Sequence, residues 1–261
     1  MRTRLAEAAR AIGWVLAFVC ACGGPGWEPL VRAPGRTEVI FVGTLHRRHL
    51  VDDAYSMQTL DRLVRAAEPE VLVAEVPPAR LEKVRRAVLG ERPDPWLESF
   101  PELAAVVFPL AEELGVPVVP GSGWTRQATD DWQAYWAAHP QGPEGELWRR
   151  AHARVTERLA EEGSAPEWIH APLYRELTAW DATALSTHAG RSLGAADPLL
   201  LYRRHARLLR EALRRHRGKR VVVVFDARVR WYFERELREL GDPSILVHDS
   251  RALLEAAGQE P

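Results

Sequence analysis

Two residues stand out by type and position as able to do chemistry. His46 follows Glu38-Val39-Ile40-Phe41-Val42-Gly43-Thr44-Leu45, and Glu75 closes Val71-Leu72-Val73-Ala74. An imidazole and a carboxylate, each released at the end of a short apolar run, suit general acid–base work or metal ligation. A carboxylate leaving so apolar a run enters surroundings where an unpaired charge costs on the order of several kcal/mol. Glu75 therefore needs a histidine, an arginine or a metal, and Arg80 and Arg204 are the structural candidates. His49, three residues beyond His46, would share a metal with it on a helical turn, but in a loop that spacing means little. Arg204, in Arg203-Arg204-His205, has the planar fork that grips an anion bidentately. It also heads a basic stretch with Arg207, Arg210 and Arg214, which reads equally as a solvated helix face.

The elements that must position these groups follow from periodicity. Val39–Val42 and Val71–Val73 are rich in β-branched residues and read as buried strands. Between them Leu60, Leu63, Val64 and Ala67 recur at helical spacing, and Glu68-Pro69 stops the pattern. Strand, helix and strand form a βαβ unit, which predicts that the two strands are parallel neighbours with adjacent carboxyl ends. Open α/β sheets bind ligands at such ends. Helices are expected over residues 80–89 and 100–114, the latter capped by Gly115, and a third strand over Val116–Val119. Gly121-Ser122-Gly123 lacks the spacing of a dinucleotide loop. Residues 125–190 show only helical periodicity, broken near Pro140-Gln141-Gly142-Pro143 and Gly163–Pro166, and predict a helical insert. A long helix over 197–216, a strand at Val221–Phe225, a helix over 228–240 and a strand at Ser244–Val247 complete the expected α/β domain over residues 37–257. Its largely parallel, mixed sheet is flanked by helices.

Composition narrows the function classes. The net charge of -1 argues against a nucleic-acid partner. Both cysteines, Cys20 and Cys22, lie near the amino terminus, so neither a disulfide framework nor a thiolate site is available to the rest of the chain. Arg2, Arg4 and Arg10 precede an apolar run, Ala11–Ala21, that has the length of a signal-peptide core and is too short to span a bilayer. Val19-Cys20-Ala21-Cys22-Gly23 resembles a bacterial lipobox, with Cys22 as the acylated residue. Residues 1–22 are thus expected to be a leader and 23–36 a tether, and export with membrane attachment through Cys22 is the expectation. The tryptophans between Trp96 and Trp180 read as an aromatic-lined region or, more simply, as packing between helices.

The order Gly43-Thr44-Leu45-His46, then Glu75 closing a second strand, then an arginine-bearing helix, then a valine strand with a turn and a helix, resembles the TraB/PrgY/GumN group. That group belongs to the wider Tiki, haem-uptake-like and erythromycin-esterase-like superfamily. The resemblance spans about Glu38 to Val247. It implies an α/β fold in two sheet halves with a helical insert, and a pocket formed by Gly43, His46, Glu75 and a helix arginine mapped to Arg204. Thr44, His49, Arg80 and Arg228 are further candidate ligand-binding positions beside that pocket. The resemblance implies either a metal-dependent protease or esterase, or a protein that binds a peptide or small ester at the cell surface.

The chain departs from that pattern after the valine strand, where a second Gly-x-x-His is replaced by Phe225-Asp226-Ala227-Arg228. Arg228 cannot coordinate a cation. Its charge is expected to repel an ion and disfavour protonation of His46, with Glu75 as its partner. The expectation is therefore a site without cofactor. A divalent metal is disfavoured, and were one bound, His46, Glu75 and Asp226 would be its ligands. Asp226 beside Arg228 and Arg230 reads more simply as half of an ion pair.

Overall fold

The computed structural model describes residues 30–140 and 146–258. The expected leader, Cys22 and the first half of the expected tether lie outside the described residues.

The core is a five-stranded, all-parallel sheet of β1 (Thr37–Thr44), β2 (Val71–Ala74), β3 (Val118–Pro120), β4 (Arg220–Asp226) and β5 (Ile245–Val247), in the spatial order β3-β2-β4-β1-β5. Both faces are covered, which is why the strands are continuous apolar runs instead of alternating ones. Ile40, Val42, Leu72, Ala74, Val222 and Val224 point to one face. There they meet residues of α1 (Met57–Ala66), α2 (Leu81–Val88) and α3 (Phe108–Leu114). Val39, Phe41, Val71, Val73, Val221, Val223 and Phe225 point to the other.

The α/β class expected from the sequence is the one observed, but one pairing is not. β1 and β2 are not neighbours, because β4 lies between them and pairs in parallel with both. All seven residues of β4 are buried, and its run of four valines suits the position where both faces and both edges are covered. The register sets Thr44 opposite Asp226, and Ala74 opposite Val224. The end of β4 is thereby inserted between the ends that carry His46 and Glu75.

The stretch expected to be helical supplies α4 (Arg126–Ala138), α5 (Glu146–Glu162) and the long α6 (Pro172–Leu193), followed by α7 (Pro198–Arg215). Ala128, Tyr135, Trp148, Ala151, Ala184, Leu185, Ala189 and Leu193 form a separate small core among α4, α5 and α6. Trp124, Trp136 and Trp180 pack against it, so most of these tryptophans are interhelical packing. α8 (Arg230–Leu240) joins α7 on the second sheet face, and α9 (Ser250–Gly258) closes the first. Gly115 ends α3 in the left-handed conformation, at φ 65°, as expected of a helix-terminating glycine.

Candidate functional site

The carboxyl ends of β1, β4 and β2 deliver His46, Asp226 and Glu75 to one place. His46 Nε2 lies 3.5 Å from Asp226 Oδ2 and 3.9 Å from Glu75 Oε2. His46 opens a short turn after β1 with φ 51°, a left-handed conformation that costs a non-glycine residue on the order of 1–3 kcal/mol. Two contacts hold its ring there. Nδ1 is 2.7 Å from Oε1 of the buried Glu102, and the edge of Phe100 sits at a ring-centroid distance of 4.6 Å. Glu102 immediately precedes a single π turn, Leu103–Val107, which leads into α3. Such wide turns recur at functional sites.

Glu75 Oε2 accepts the backbone N–H of Asp226 at 2.8 Å, tying β2 to β4 through a side chain. The Asp226 carboxylate is fully engaged. Its Oδ1 accepts the Arg228 backbone N–H at 2.9 Å, and the Arg228 guanidinium spans both oxygens, with Nη2 at 2.6 Å from Oδ2. This is the ion pair expected for Asp226. The other expectation for Arg228 is corrected: its partner is Asp226, because the two-residue spacing across the turn places the fork on that carboxylate.

The electrostatics follow from this geometry. Burial pushes His46 down, but its hydrogen bonds to Asp226 and Glu102 and the charge of Glu75 overcome that and raise it to about 11. Arg228 therefore does not disfavour protonation of His46, since Asp226 neutralises it locally. Glu75 is raised as well, for a different reason. Burial raises it, the His46 charge opposes, and Asp226 adds repulsion, leaving it at about 8. Asp226 is held well below the ordinary range, because Arg228 and His46 outweigh its burial.

These groups line a cavity of about 300 Å³ between the sheet ends and the helices of the insert, walled also by Trp124, Trp132, Asp181, Tyr202 and His205. Arg228 reaches into it with 59% of its side chain exposed, so its charge is partly screened by water. His205 is buried and stays neutral, its pKa pushed down to about 3 by burial. Its Nδ1 accepts the Gly123 N–H at 2.6 Å, so its proton sits on Nε2.

The other expected site residues lie elsewhere or act as scaffold. Arg204 faces a different cavity and donates to the Ala195 carbonyl, because the residue that α7 turns towards His46 is its neighbour His205. Arg80 pairs with Asp94 at 2.5 Å and lies over the Trp96 ring, so neither it nor Arg204 partners Glu75. His49 is buried, accepting the Leu45 N–H through Nε2 and bonding the Tyr55 carbonyl through Nδ1. With both nitrogens committed it shares no site with His46. Gly43 is a packing position: a Cβ there would lie 2.7 Å from the Ala227 Cβ. Its N–H is held by His170 Nε2 and its carbonyl by the Tyr55 hydroxyl. Thr44 is buried, and its hydroxyl has no hydrogen-bond partner among the described residues.

The sequence reading missed Glu102, His205, Tyr202 and Asp181. Glu102 had a signal, being a charge four residues before Val106 on the apolar face of a helical run. So had His205, which lies between Leu201 and Leu209 at helical spacing.

A metal between His46, Glu75 and Asp226 fits poorly. Asp226 is chelated by the Arg228 guanidinium, whose fixed charge adjoins the other would-be ligands and cannot coordinate an ion. Compared with family models and with curated proteins, the chain matches neither.

Proposed function

We propose that the protein is a metal-independent, hydrolase-like domain of the TraB/Tiki type that acts on a small ester or peptide. The single observation that carries this reading is the convergence of His46 Nε2, Glu75 Oε2 and Asp226 Oδ2 within 3.9 Å on one cavity. A general base works best with a pKa near the operating pH. Glu75, at about 8, meets that condition, and His46, at about 11, does not. Glu75 is therefore the base. Its carboxylate takes a proton from water, whose oxygen attacks the acyl carbon, and the same carboxyl returns that proton to the leaving group. The negative charge that develops on the acyl oxygen is met by the His46 imidazolium and the Arg228 guanidinium. Glu102 and Phe100 hold the imidazolium in place.

A panel of small esters and short peptides tests this. Turnover that is lost in Glu75→Gln and His46→Ala, with both variants folded, supports it, and wild-type rates in both variants refute it. The second reading is saturable binding of the same ligands without turnover. It is favoured by the closed Asp226–Arg228 pair, which supplies fixed charge and leaves Asp226 no free oxygen. Export and anchoring through Cys22 belong to the same proposal. Mass spectrometry of the mature amino terminus tests them, and an unmodified start at any other residue refutes the anchor.

A further inference from the structure

Beside the acid–base cavity lies a larger one of about 750 Å³, beyond the ends of β2 and β3. Its lining is rich in cations: Arg80, Lys83, Arg126, Arg204 and Arg207 face it against the carboxylate of Asp130, and of these Arg80 is already paired with Asp94 at 2.5 Å. Lys83 and Arg207 are exposed and form no salt bridge among the described residues. The Asp130 pairing is loose, at 3.8 Å from an Arg126 that is almost wholly exposed. Clustered cations repel one another, so the cavity calls for an anion.

The two cavities share a wall. Trp124 lines both. Consecutive residues of α7 face opposite ways, Arg204 into the basic cavity and His205 into the acid–base one. Gly123 packs closely against α7, since a Cβ on it would lie 2.5 Å from the Arg204 Cβ. The Gly123 N–H itself is bonded to His205. An arm held by Arg204 is thus one residue along α7 from His205, which lines the acid–base cavity.

We infer that the basic cavity is the substrate's anion subsite: the ligand is a small organic anion whose carboxylate or phosphate arm is held there while its acyl group lies beside Glu75. This rests on the acid–base reading for the reacting end alone, because binding of the arm is measurable without turnover.

Inorganic pyrophosphate is the probe, with calorimetry on the full chain at low salt. Saturable one-to-one binding is expected, weakened at least tenfold by the double reversal Lys83→Glu and Arg207→Glu, both at exposed positions. It should change less than twofold on reversing Arg149 and Arg150, which controls for net charge. In the ester panel, the Lys83/Arg207 reversal should raise KM for a carboxylated ester relative to a neutral one. No pyrophosphate binding, or equal weakening by both reversals, overturns the subsite and leaves the acid–base reading to its own assay. Sedimentation with phosphatidylglycerol-containing vesicles, without pyrophosphate binding, also overturns it and assigns the patch to a membrane surface. Pyrophosphate binding with no turnover of any ester keeps the subsite and rejects the hydrolase.

Discussion

The Glu75 carboxylate accepts the backbone N–H of Asp226 at 2.8 Å, so the base proposed for this site is fixed by the strand that inserts between its own and that of His46. A hydrogen bond to the charged form favours ionisation, whereas burial and the neighbouring Asp226 charge oppose it. The opposition wins, and Glu75 keeps its proton until about pH 8.

That balance predicts a bell-shaped kcat/KM profile. The rate rises with pH as Glu75 ionises around 8 and falls as His46 loses its proton near 11. Glu75→Gln should lose roughly 10²–10⁴-fold in rate and abolish the acid limb. Stopped-flow or steady-state assays across this range decide it. A rate independent of pH between about 6 and 9 would show that Glu75 is not the base.

Glu102 is a positioning residue, acting through His46. Glu102→Gln keeps an acceptor beside Nδ1 but weakens the hydrogen bond that raises the His46 pKa. The alkaline limb of the profile should move towards neutral pH, and the His46 ring resonance should titrate lower in NMR. A purely structural role would leave both where they are.

How much of this was legible depended on whether a residue's partners were local. His46 and Glu75 were readable because each ends an apolar run, and strand ends are where such sheets carry chemistry. The helices and the Gly115 cap were readable from spacing and residue type alone. The strand order was not, because the position of β4 between β1 and β2 depends on which faces the distant helices cover. That one insertion brings Asp226 beside His46. The mapping of Arg204 failed by a single residue, since the sequence fixes the helical period but not which neighbour faces the sheet end. Arg228 was correctly singled out as a charge near the site, yet its partner was misassigned, because turn geometry decides between Asp226 and Glu75.

Protonated His46 also links stability to pH. Its folded pKa, about 11, lies above the ordinary 6.5, so its contribution is complete below about pH 6.5 and is lost as pH rises through 11. Glu75 has the same sign over a lower window, from its ordinary 4.5 up to about 8. The thermal-stability advantage of the wild type over His46→Gln should therefore shrink steadily between about pH 7 and 11. Melting curves of the wild type, His46→Gln and Glu75→Gln separate the two windows. A pH-independent advantage would mean that His46 is neutral in the fold.

The last prediction turns on Arg228. Its guanidinium occupies both Asp226 oxygens and supplies one of the two positive charges at the strand ends. Replacing it by glutamine leaves Asp226, Glu75 and Glu102 facing His46 alone, an excess of negative charge that a divalent cation would relieve. An ion would also compete for the His46 Nε2 proton, with Nδ1 held by Glu102 in the way that carboxylates support metal-bound histidines. Wild-type protein incubated with zinc and then dialysed should retain well under one equivalent by elemental analysis. Arg228→Gln should retain close to one, and the double variant Arg228→Gln/His46→Ala should lose it again. Stoichiometric zinc in the wild type, lost in His46→Ala, would show that the ion pair does not exclude a metal and that hydrolysis here is metal-assisted.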